Sequence, residues 1–379
     1  MTLPTHLSFQ DSLCDLSAIG VSASEVGDNY GIIEARSNKR WWIVPLTNSK
    51  QSVTGLSLYQ PASKIGLASK SIASFLCEKG LHKLVFRKTM GLDFSKVNEI
   101  KFMEHAQTHI AIFTGTTGPH RKTAIQFAND EGEVLGYGKI SRSNNITPFL
   151  TAEAEMLQRI AAMRLTSIDY PKLIDFRSDT NLSFLITDGK TKKTSGTDLE
   201  LSNEHLLFVK EFYEATKSTC WDVLIKNLMT DYNTINKNIP ECWSVRFGKS
   251  IQLLEKGPIL PTSLAHGDFT PWNCFLNDIL YVFDWEYSGE QAFAYDICHF
   301  VYVTSKKKTP FEIVAKCIKK IKIINNQLDD KKLYSLILYY FTSHSIFYSK
   351  RELIMFDRIE SWTESELYGQ IIDFLLDQI

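Results

Sequence analysis

Short apolar segments separated by polar turns that contain glycine occupy residues 109–187 of this 379-residue chain, and this pattern constrains the fold more than any other. Such runs between glycine turns are typical of antiparallel strands, and the first three are Ala111–Phe113, Thr123–Phe127 and Val134–Ile140. A helix is predicted next, because Thr147 suits an N-cap and Pro148 suits the first helical position. The helix continues to about Met163, and further strands follow at Tyr170–Phe176 and Leu182–Thr187. The segment therefore predicts a small α+β lobe with five strands.

Beyond Lys190 the apolar spacing changes to one that is compatible with amphipathic helices. Five helices are predicted there, at Glu204–Lys217, Trp243–Lys256, Phe311–Ile324, Lys331–Tyr348 and Glu364–Leu376. A strand-rich interruption, Leu264–Asp284, lies between the second and the third of these helices. We therefore predict a mostly helical second lobe over residues 189–379.

The first 104 residues mix short segments of both kinds and carry no constellation of chemically active side chains. Trp41–Leu46 is typical of a buried strand, residues 65–79 of a helix and Lys83–Arg87 of another strand. We predict that residues 1–104 form an extra α/β N-terminal extension of unknown role. The five-stranded lobe would then occupy residues 105–188.

Composition excludes several classes of protein. The chain has 42 Lys and Arg against 43 Asp and Glu, so no general basic field would attract nucleic acid and no such partner is predicted. The seven cysteines show no Cys-x-x-Cys spacing, which favours free thiols in a reducing compartment. No apolar run approaches the length of about 18 residues that a membrane span needs, and the N-terminus lacks the pattern of a secretory signal. A cytoplasmic protein is predicted.

The polar residues that follow Leu264 carry the chemistry. Asp268 lies in a predicted loop, Asn273 follows five residues later, and Asp284 ends the next short strand. Phosphoryl transfer from a nucleotide needs one carboxylate to orient and deprotonate the attacking hydroxyl. It also needs hard oxygen ligands for Mg²⁺, which an amide oxygen and a second carboxylate can supply. Because the connection between the two pieces is short, a hairpin would bring both metal ligands to one edge.

This segment resembles the signature of the aminoglycoside phosphotransferase and choline kinase family: His-Gly-Asp, four residues, Asn, and then an Asp that ends a strand. The resemblance implies a bilobal protein-kinase-like fold that transfers the γ-phosphate of ATP, or of another nucleoside triphosphate, to a hydroxyl of a small molecule. It implies that Asp268 is the catalytic base and that Asn273 and Asp284 bind Mg²⁺. By the same resemblance Asp296 braces the catalytic loop, and His266 holds that loop through hydrogen bonds.

A kinase of this fold also needs a lysine that contacts the α- and β-phosphates and a carboxylate that pairs with it. Lys139 ends the third strand, where the fold places that lysine, and the next helix offers Glu153 and Glu155. Glu153 lies four residues before Leu157 and seven before Ile160, on the apolar stripe, whereas Glu155 is rotated by about 200° from it. A carboxylate in a core-facing stripe is costly unless it is paired, so we predict that Glu153 is the partner of Lys139.

The resemblance assigns two further nucleotide contacts. The loop between the first two strands, which would cover the phosphates, contains Gly115, Thr116, Thr117 and Gly118. Its spacing departs from the Gly-x-Gly-x-x-Gly of protein kinases. The hinge segment, whose backbone would pair with the adenine edge, contains Ile186, Thr187 and Asp188. A P-loop at Lys122 is excluded, because Arg121 stands where Gly-Lys-Thr requires glycine.

Two other classes of function are weighed against a small-molecule kinase. A protein kinase is disfavoured, because Asp284 and Asp296 are only 12 positions apart and His-Gly-Asp lacks the arginine that reads an activating phosphate. A pseudokinase or nucleotide-binding scaffold stays open, because the glycine loop departs from the kinase pattern. The acceptor is largely unreadable from the sequence. An N-terminal extension fits a specialised acceptor, such as a sugar or glycan intermediate, slightly better than an aminoglycoside.

Overall fold

The computed structural model describes residues 4–24, 29–35, 39–59, 64–97, 100, 102, 108–118, 120–190, 199–305, 307–356 and 365–379. The chain divides into two compact units, the first made of Met1–Gln158 and Pro171–Thr191 and the second of Arg159–Tyr170 and Lys192–Ile379. Among the helices within the described ranges, none combines the length and the apolar character that crossing a bilayer requires.

The described helices are α1 (Leu7–Ala18), α2 (Ser49–Ser57), α3 (Lys64–Glu78), α4 (His82–Val85), α5 (Thr147–Met163), α6 (Asn203–Thr216), α7 (Trp221–Ile235), α8 (Glu241–Lys256), α9 (Tyr295–Thr304), α10 (Pro310–Ile324), α11 (Asp330–Phe356) and α12 (Ser365–Leu376). The described strands are β1 (Ser22–Ser24), β2 (Tyr30–Ala35), β3 (Arg40–Pro45), β4 (Lys88–Asp93), β5 (His109–Phe113), β6 (Thr123–Ala128), β7 (Val134–Ser141), β8 (Ile168–Asp169), β9 (Leu173–Ser178), β10 (Ser183–Thr187), β11 (Thr262–Ala265), β12 (Cys274–Leu276), β13 (Leu280–Val282) and β14 (Gly289–Ala292). Helices and strands together confirm the predicted α+β class.

The first unit contains one antiparallel sheet, which in the described residues has nine strands in the order β1-β4-β2-β3-β5-β6-β7-β10-β9. The five predicted strands form one side of it. The other four strands, β1 to β4, come from the first 104 residues. They belong to the same sheet because β3 pairs with β5, with Trp42 opposite Phe113 and Ile43 opposite Ile112. Residues 1–104 therefore add four strands to the same sheet and belong to the same compact unit as the five predicted strands. The predicted boundary at residue 104 falls inside one sheet and one compact unit.

Strand β3 joins the two parts because it is apolar on both faces. Trp41 and Ile43 belong to one buried cluster, whereas Trp42 and Val44 belong to another. Alternate residues of a strand point to opposite faces of its sheet, so a continuous apolar run is typical of a strand that is covered on both sides. Such a strand lies inside a sheet and not at its edge.

One predicted element of the first unit is wrong. The sequence predicts a strand at Lys83–Arg87, but the structure has the single turn of α4 there, and β4 begins at Lys88. Gly80, with φ of +71°, ends α3, and the chain then forms one more helical turn. Leu84 is 70% exposed, which does not fit a strand side chain packed on a core. Strands β3, β5, β6, β7 and β10 and helices α3 and α5 confirm the other predictions.

The second unit is mostly helical, as predicted, and where the structure describes it three short strand pairings position its polar loops. Strands β11 and β14 pair in antiparallel fashion, and β12 and β13 form a hairpin to which β8 adds a parallel strand. The five predicted helices correspond to α6, α8, α10, α11 and α12. Helices α7 and α9 were not predicted.

Candidate active site

The catalytic loop predicted in the second unit begins where β11 ends. Asp296, in the first turn of α9, accepts hydrogen bonds from the backbone N–H of His266 (2.7 Å) and of Gly267 (3.0 Å). Burial raises the pKa of Asp296, and electrostatic interaction with His266 and these two hydrogen bonds oppose that shift. Gly267 has φ of +85°, and a Cβ there would lie 2.1 Å from the carbonyl oxygen of Tyr287. The loop can therefore turn tightly only with glycine at this position.

Asp268 follows this turn, and its carboxylate is held by the side chain of Asn273. The Nδ2 of Asn273 donates to Oδ2 of Asp268 (2.8 Å) and to the Asp268 carbonyl oxygen (2.9 Å). The side chain of Asp268 is 27% exposed, so a reactant can reach it. Because the amide nitrogen of Asn273 is used inside the loop, its oxygen is the atom that can bind a cation.

The hairpin of β12 and β13 brings Asn273 and Asp284 together. The N–H of Phe283 donates to the carbonyl oxygen of Asn273 (3.0 Å), so the residue before Asp284 is bonded to Asn273. Asp284 has φ of +69°, a left-handed conformation that residues other than glycine seldom adopt. Such backbone strain is concentrated at functional sites. An amide oxygen and a carboxylate are the hard donors that Mg²⁺ prefers, so this pair fits the metal that the sequence predicts.

His266 is placed to hold the catalytic loop through hydrogen bonds, the role that the resemblance implied for it. It is fully buried, its Nε2 is 3.0 Å from the carbonyl oxygen of Phe283, and its Nδ1 accepts from the N–H of Asp268 (3.3 Å). Its ring packs on Trp285, with 4.5 Å between the centroids. These contacts connect the catalytic loop to the end of the hairpin, and they occupy both ring nitrogens within the protein.

Sequence reasoning missed one residue of this site. His299, on α9, places Nε2 2.9 Å from Oδ1 of Asp268 and Nδ1 2.9 Å from the hydroxyl of Tyr340 on α11. The available signal was a histidine within an otherwise apolar helix, three residues after Asp296. A buried polar side chain needs a partner, but the sequence does not say which residue 31 positions away supplies it.

In the first unit the structure brings together Lys139, on β7, and Glu153, on α5. The Nζ of Lys139 lies 2.6 Å from each carboxylate oxygen of Glu153. Glu153 is 2% exposed, whereas Glu155 is exposed to solvent. Glu153 therefore lies on the buried face of α5 and Glu155 on its exposed face, as the sequence predicted. That this pair binds a nucleotide stays a prediction.

The glycine loop follows β5, and its two glycines have φ of +78° (Gly115) and +142° (Gly118). The hydroxyl of Thr117 accepts a hydrogen bond from Ser8 of α1 (3.0 Å) and donates to the carbonyl oxygen of Lys39 (3.3 Å). The Thr117 hydroxyl is thus bonded within the protein, although both Thr116 and Thr117, the residues that the sequence assigned to phosphate contacts, are exposed.

Helix α1 is also bonded to the strand that follows this loop, through a buried ion pair that the sequence did not reveal. The Nη2 of Arg121 lies 2.7 Å from Oδ2 of Asp15, and Thr123 donates to the same oxygen (2.8 Å). The Nη1 of Arg121 donates to Ser12 (3.0 Å) and to the carbonyl oxygen of Thr114 (3.2 Å). Burial raises the pKa of Asp15, and the charge of Arg121 opposes that shift.

The predicted hinge segment ends β10, which lies between β7 and β9 in the sheet. Ile186 is buried and pairs with both neighbouring strands, and the ladder shifts register between Ile186 and Thr187. The N–H of Asp188 donates to the carbonyl oxygen of Lys172 (3.0 Å), and the Asp188 carboxylate accepts from the N–H of Lys172 (2.5 Å). This amide is thus used within the sheet, so the predicted pairing with an adenine edge would rest on other backbone groups of the segment.

Comparison with known proteins places the fold. No protein-family model and no curated protein matches the sequence. A protein from Ralstonia eutropha JMP134, assigned as an aminoglycoside phosphotransferase, is 10% identical with a TM-score of 0.50, over 72% of this chain and 93% of that one. A protein from Haemophilus somnus 129PT, assigned as a fructosamine-3-kinase, is 14% identical with a TM-score of 0.44, over 70% and 89%. An aminoglycoside phosphotransferase from Streptomyces rimosus, solved with ADP and streptomycin, is 14% identical with a TM-score of 0.39, over 59% and 90%. The first similarity confirms the predicted kinase-like fold and, at this identity, shows the fold alone.

Proposed function

We propose that this protein is an ATP-dependent phosphotransferase that moves the γ-phosphate to a hydroxyl of a small molecule. The observation that carries the proposal is the arrangement of Asp268, Asn273 and Asp284 around one hairpin of the second unit. A partly exposed carboxylate, an amide oxygen and a second carboxylate are thus contributed by one loop and the hairpin that follows it, which is the set that phosphoryl transfer requires. The pair of Lys139 and Glu153 in the first unit supports a role in holding nucleotide phosphates.

In this mechanism Asp268 accepts a hydrogen bond from the acceptor hydroxyl and takes its proton as the oxygen attacks the γ-phosphorus. The new oxygen–phosphorus bond forms while the bond from that phosphorus to the leaving oxygen breaks, and ADP departs. The amide oxygen of Asn273 and the carboxylate of Asp284 would hold Mg²⁺, which when bound neutralises charge on the phosphate oxygens. The ammonium of Lys139, oriented by Glu153, would contact the phosphates.

We infer the class of acceptor from the side chains that surround Tyr287: they favour a molecule that is neutral or anionic and contains a ring. The carbonyl of Tyr287 lies against Gly267, next to Asp268, and Arg351 of α11 places Nη1 3.5 Å from the Tyr287 hydroxyl. The rings of Tyr287 and Phe347 lie 5.7 Å apart, and the Arg351 guanidinium lies 5.9 Å from the centroid of Tyr348. A fixed cation would repel a polycationic aminoglycoside, whereas aromatic faces can pack on a sugar ring. We therefore propose a sugar or glycan intermediate as the acceptor class.

A nucleotide-binding scaffold is the second candidate, because the Thr117 hydroxyl of the glycine loop is bonded to Ser8 and Lys39. A protein kinase is less consistent with the structure. Four of the residues between Asp284 and Asp296 form β14, which pairs with β11, so this segment contains no long loop for phosphorylation.

The test is to incubate the protein with Mg²⁺ and ATP and a panel of neutral sugars, sugar acids, choline and kanamycin, and to identify phosphorylated products by mass spectrometry. We expect product from a neutral or acidic sugar and none from kanamycin. Asp268→Asn should lower turnover by about 10²–10⁴-fold, the usual contribution of a general base, while ATP binding is retained. ATP binding without any phosphorylated acceptor would instead support the scaffold.

A further inference from the structure

We propose that His299 is a positioning residue that fixes the orientation of the Asp268 carboxylate, and that Tyr340 holds the His299 ring in the tautomer that does so. The inference rests on the proposed function, since it concerns the group that receives the acceptor proton. Its geometry lies entirely within the second unit.

Both oxygens of the Asp268 carboxylate are held by side-chain donors. Asn273 binds Oδ2 at 2.8 Å, and Nε2 of His299 lies 2.9 Å from Oδ1. Two donors on different elements restrict rotation of the carboxylate about its bond to Cβ. Because the two donors approach the two oxygens separately, the remaining lone pairs of Asp268 point in a fixed direction, toward which an acceptor hydroxyl would have to approach.

The hydrogen-bond chain determines which nitrogen of His299 carries the proton. An ionised carboxylate can only accept, so Nε2 must donate to Asp268. In the neutral ring Nδ1 then accepts, and the hydroxyl of Tyr340 lies 2.9 Å from it. Tyr340 lies 3.4 Å from the hydroxyl of Tyr368, and burial raises the pKa of both phenols, so both keep their protons. The donors are thus aligned from Tyr368 through Tyr340 and His299 to Asp268.

The surroundings of His299 indicate that stability does not require a histidine at this position. Its side chain is 4% exposed, and its neighbours on α9, Cys298 and Phe300, are fully buried. An apolar residue would fill such a place without the cost of burying two polar nitrogens. Asp268, which is partly exposed, does not need the histidine to be solvated. Next to His299 lies His344, whose pKa burial lowers well below its usual value, with 4.8 Å between the rings. The most direct consequence of the contact is therefore the orientation of Asp268.

The kinetic test compares His299→Leu with His299→Gln. Leucine fills the space without a donor, whereas the amide nitrogen of glutamine can donate in place of Nε2. We expect His299→Leu to lower kcat by about 100-fold, the scale of a misplaced catalytic group, with KM for ATP unchanged. His299→Gln should recover most of that loss. If His299→Leu unfolds at the wild-type temperature and keeps the wild-type kcat, the proposal is wrong.

Tyr340→Phe tests the tautomer, and Tyr339→Phe is its matched control. The two tyrosines are adjacent on α11 and both buried, but the hydroxyl of Tyr339 donates to Gln291 (2.9 Å) and not toward His299. We expect Tyr340→Phe to lower kcat at constant KM for ATP, and Tyr339→Phe to leave kcat unchanged. Equal effects of the two substitutions on kcat would mean that the hydroxyl of Tyr340 acts only through stability.

A spectroscopic measurement separates this inference from the proposed function. Nitrogen-15 NMR of the labelled histidines reports which ring nitrogen of His299 is protonated, whether or not the protein transfers phosphate. We expect the Nε2–H tautomer in the wild type and a mixture in Tyr340→Phe. A wild-type ring protonated on Nδ1 alone overturns the inference, whereas the absence of any phosphorylated product in the wild type overturns only the proposed function.

Discussion

Several residues of the catalytic segment have backbone conformations that side chains seldom adopt. Gly267, Asp284 and Ala294 have φ of +85°, +69° and +77°. For residues with a Cβ this conformation costs about 1–2 kcal/mol each, and it persists only where the surrounding contacts impose it. Asp284 follows the hairpin that pairs with Asn273, and Ala294 directly precedes α9, which carries Asp296. Of the four described residues other than glycine that have positive φ, Asp284 and Ala294 thus lie in the catalytic segment, whereas Lys39 and Arg164 lie elsewhere.

Asp284→Ala should abolish the increase in ATP affinity that Mg²⁺ gives, because the metal loses its carboxylate ligand. Calorimetric titration of ATP with and without Mg²⁺ measures this difference. Asp278→Ala is the matched control, since Asp278 is exposed in the turn of the same hairpin. If Mg²⁺ strengthens ATP binding equally in Asp284→Ala and the wild type, Asp284 is not the ligand.

At the same scale, the sequence predicted the site residues that lie close together along the chain. Asp268 and Asn273 are five positions apart in a recognisable pattern, and the hairpin to Asp284 is local. His299 and Arg121 were missed for the same physical reason. Their partners, Asp268 and Asp15, lie 31 and 106 positions away, and only the folded chain brings such pairs together. Spacing reveals local geometry, whereas long-range polar partners depend on the tertiary structure.

Among the elements, α5 offers a controlled test of the predicted nucleotide contact. Glu153→Gln leaves the Lys139 ammonium without its charged partner, which should cost about 1–3 kcal/mol of stability and raise KM for ATP. Glu155→Gln, two residues away and exposed, should change stability by less than about 0.5 kcal/mol. Thermal unfolding and initial rates measure both effects. A neutral Glu153→Gln combined with a damaging Glu155→Gln would contradict this assignment.

Helix α1 gives a prediction about pH. Burial raises the pKa of Asp15 above its value in the unfolded chain, so the folded state binds this proton more strongly. The contribution of Asp15 to stability is therefore fully present below the unfolded pKa and is lost as the pH rises through the folded pKa. The unfolding free energy of the wild type, relative to Asp15→Asn, should increase as the pH falls from 7 toward the usual range of an aspartate.

Chemical denaturation at several pH values measures this difference. Asp11→Asn is the comparison, because Asp11 lies on the same helix, with Oδ2 3.8 Å from Nε of the same Arg121, but is exposed, so that the burial that acts on Asp15 is absent there. A wild-type advantage over Asp15→Asn that shrinks as the pH falls would show that the Arg121 charge outweighs burial at Asp15.

Two of the elements that sequence analysis missed, α9 and α4, were missed for different physical reasons. Helix α9 is apolar almost all round because it is buried, so its sequence lacks the polar face by which an amphipathic helix is recognised. The residues of α4 have a composition that is typical of a strand, but such a composition is only a weak preference. In the folded chain they form a single helical turn. Strands β5, β6, β7 and β10 were predictable because glycine turns separate them, and that signal is local.

At the scale of the molecule, the first 104 residues are part of the first unit's core. Of the seventeen buried side chains in the main cluster that the structure describes there, ten come from this segment, among them Phe9, Trp41 and Ile43. The other seven belong to the strands that the sequence predicted as the small α+β lobe. Each large apolar side chain that is fully buried contributes about 1.5–3 kcal/mol, so neither part retains the core without the other.

A chain that begins at residue 105 should therefore fail to fold as a kinase-like unit. Without β3, strand β5 would have an unpaired edge and the apolar face that α1 covers would be exposed, a combination that promotes aggregation. We expect the truncated chain to bind a hydrophobic dye and to lose the cooperative thermal transition of the first unit. Adding residues 1–104 as a separate polypeptide should restore part of that transition, because the missing strands can pair with β5 again. A truncated chain that unfolds cooperatively at the temperature of the full chain would show that residues 1–104 are dispensable for the folding of this unit.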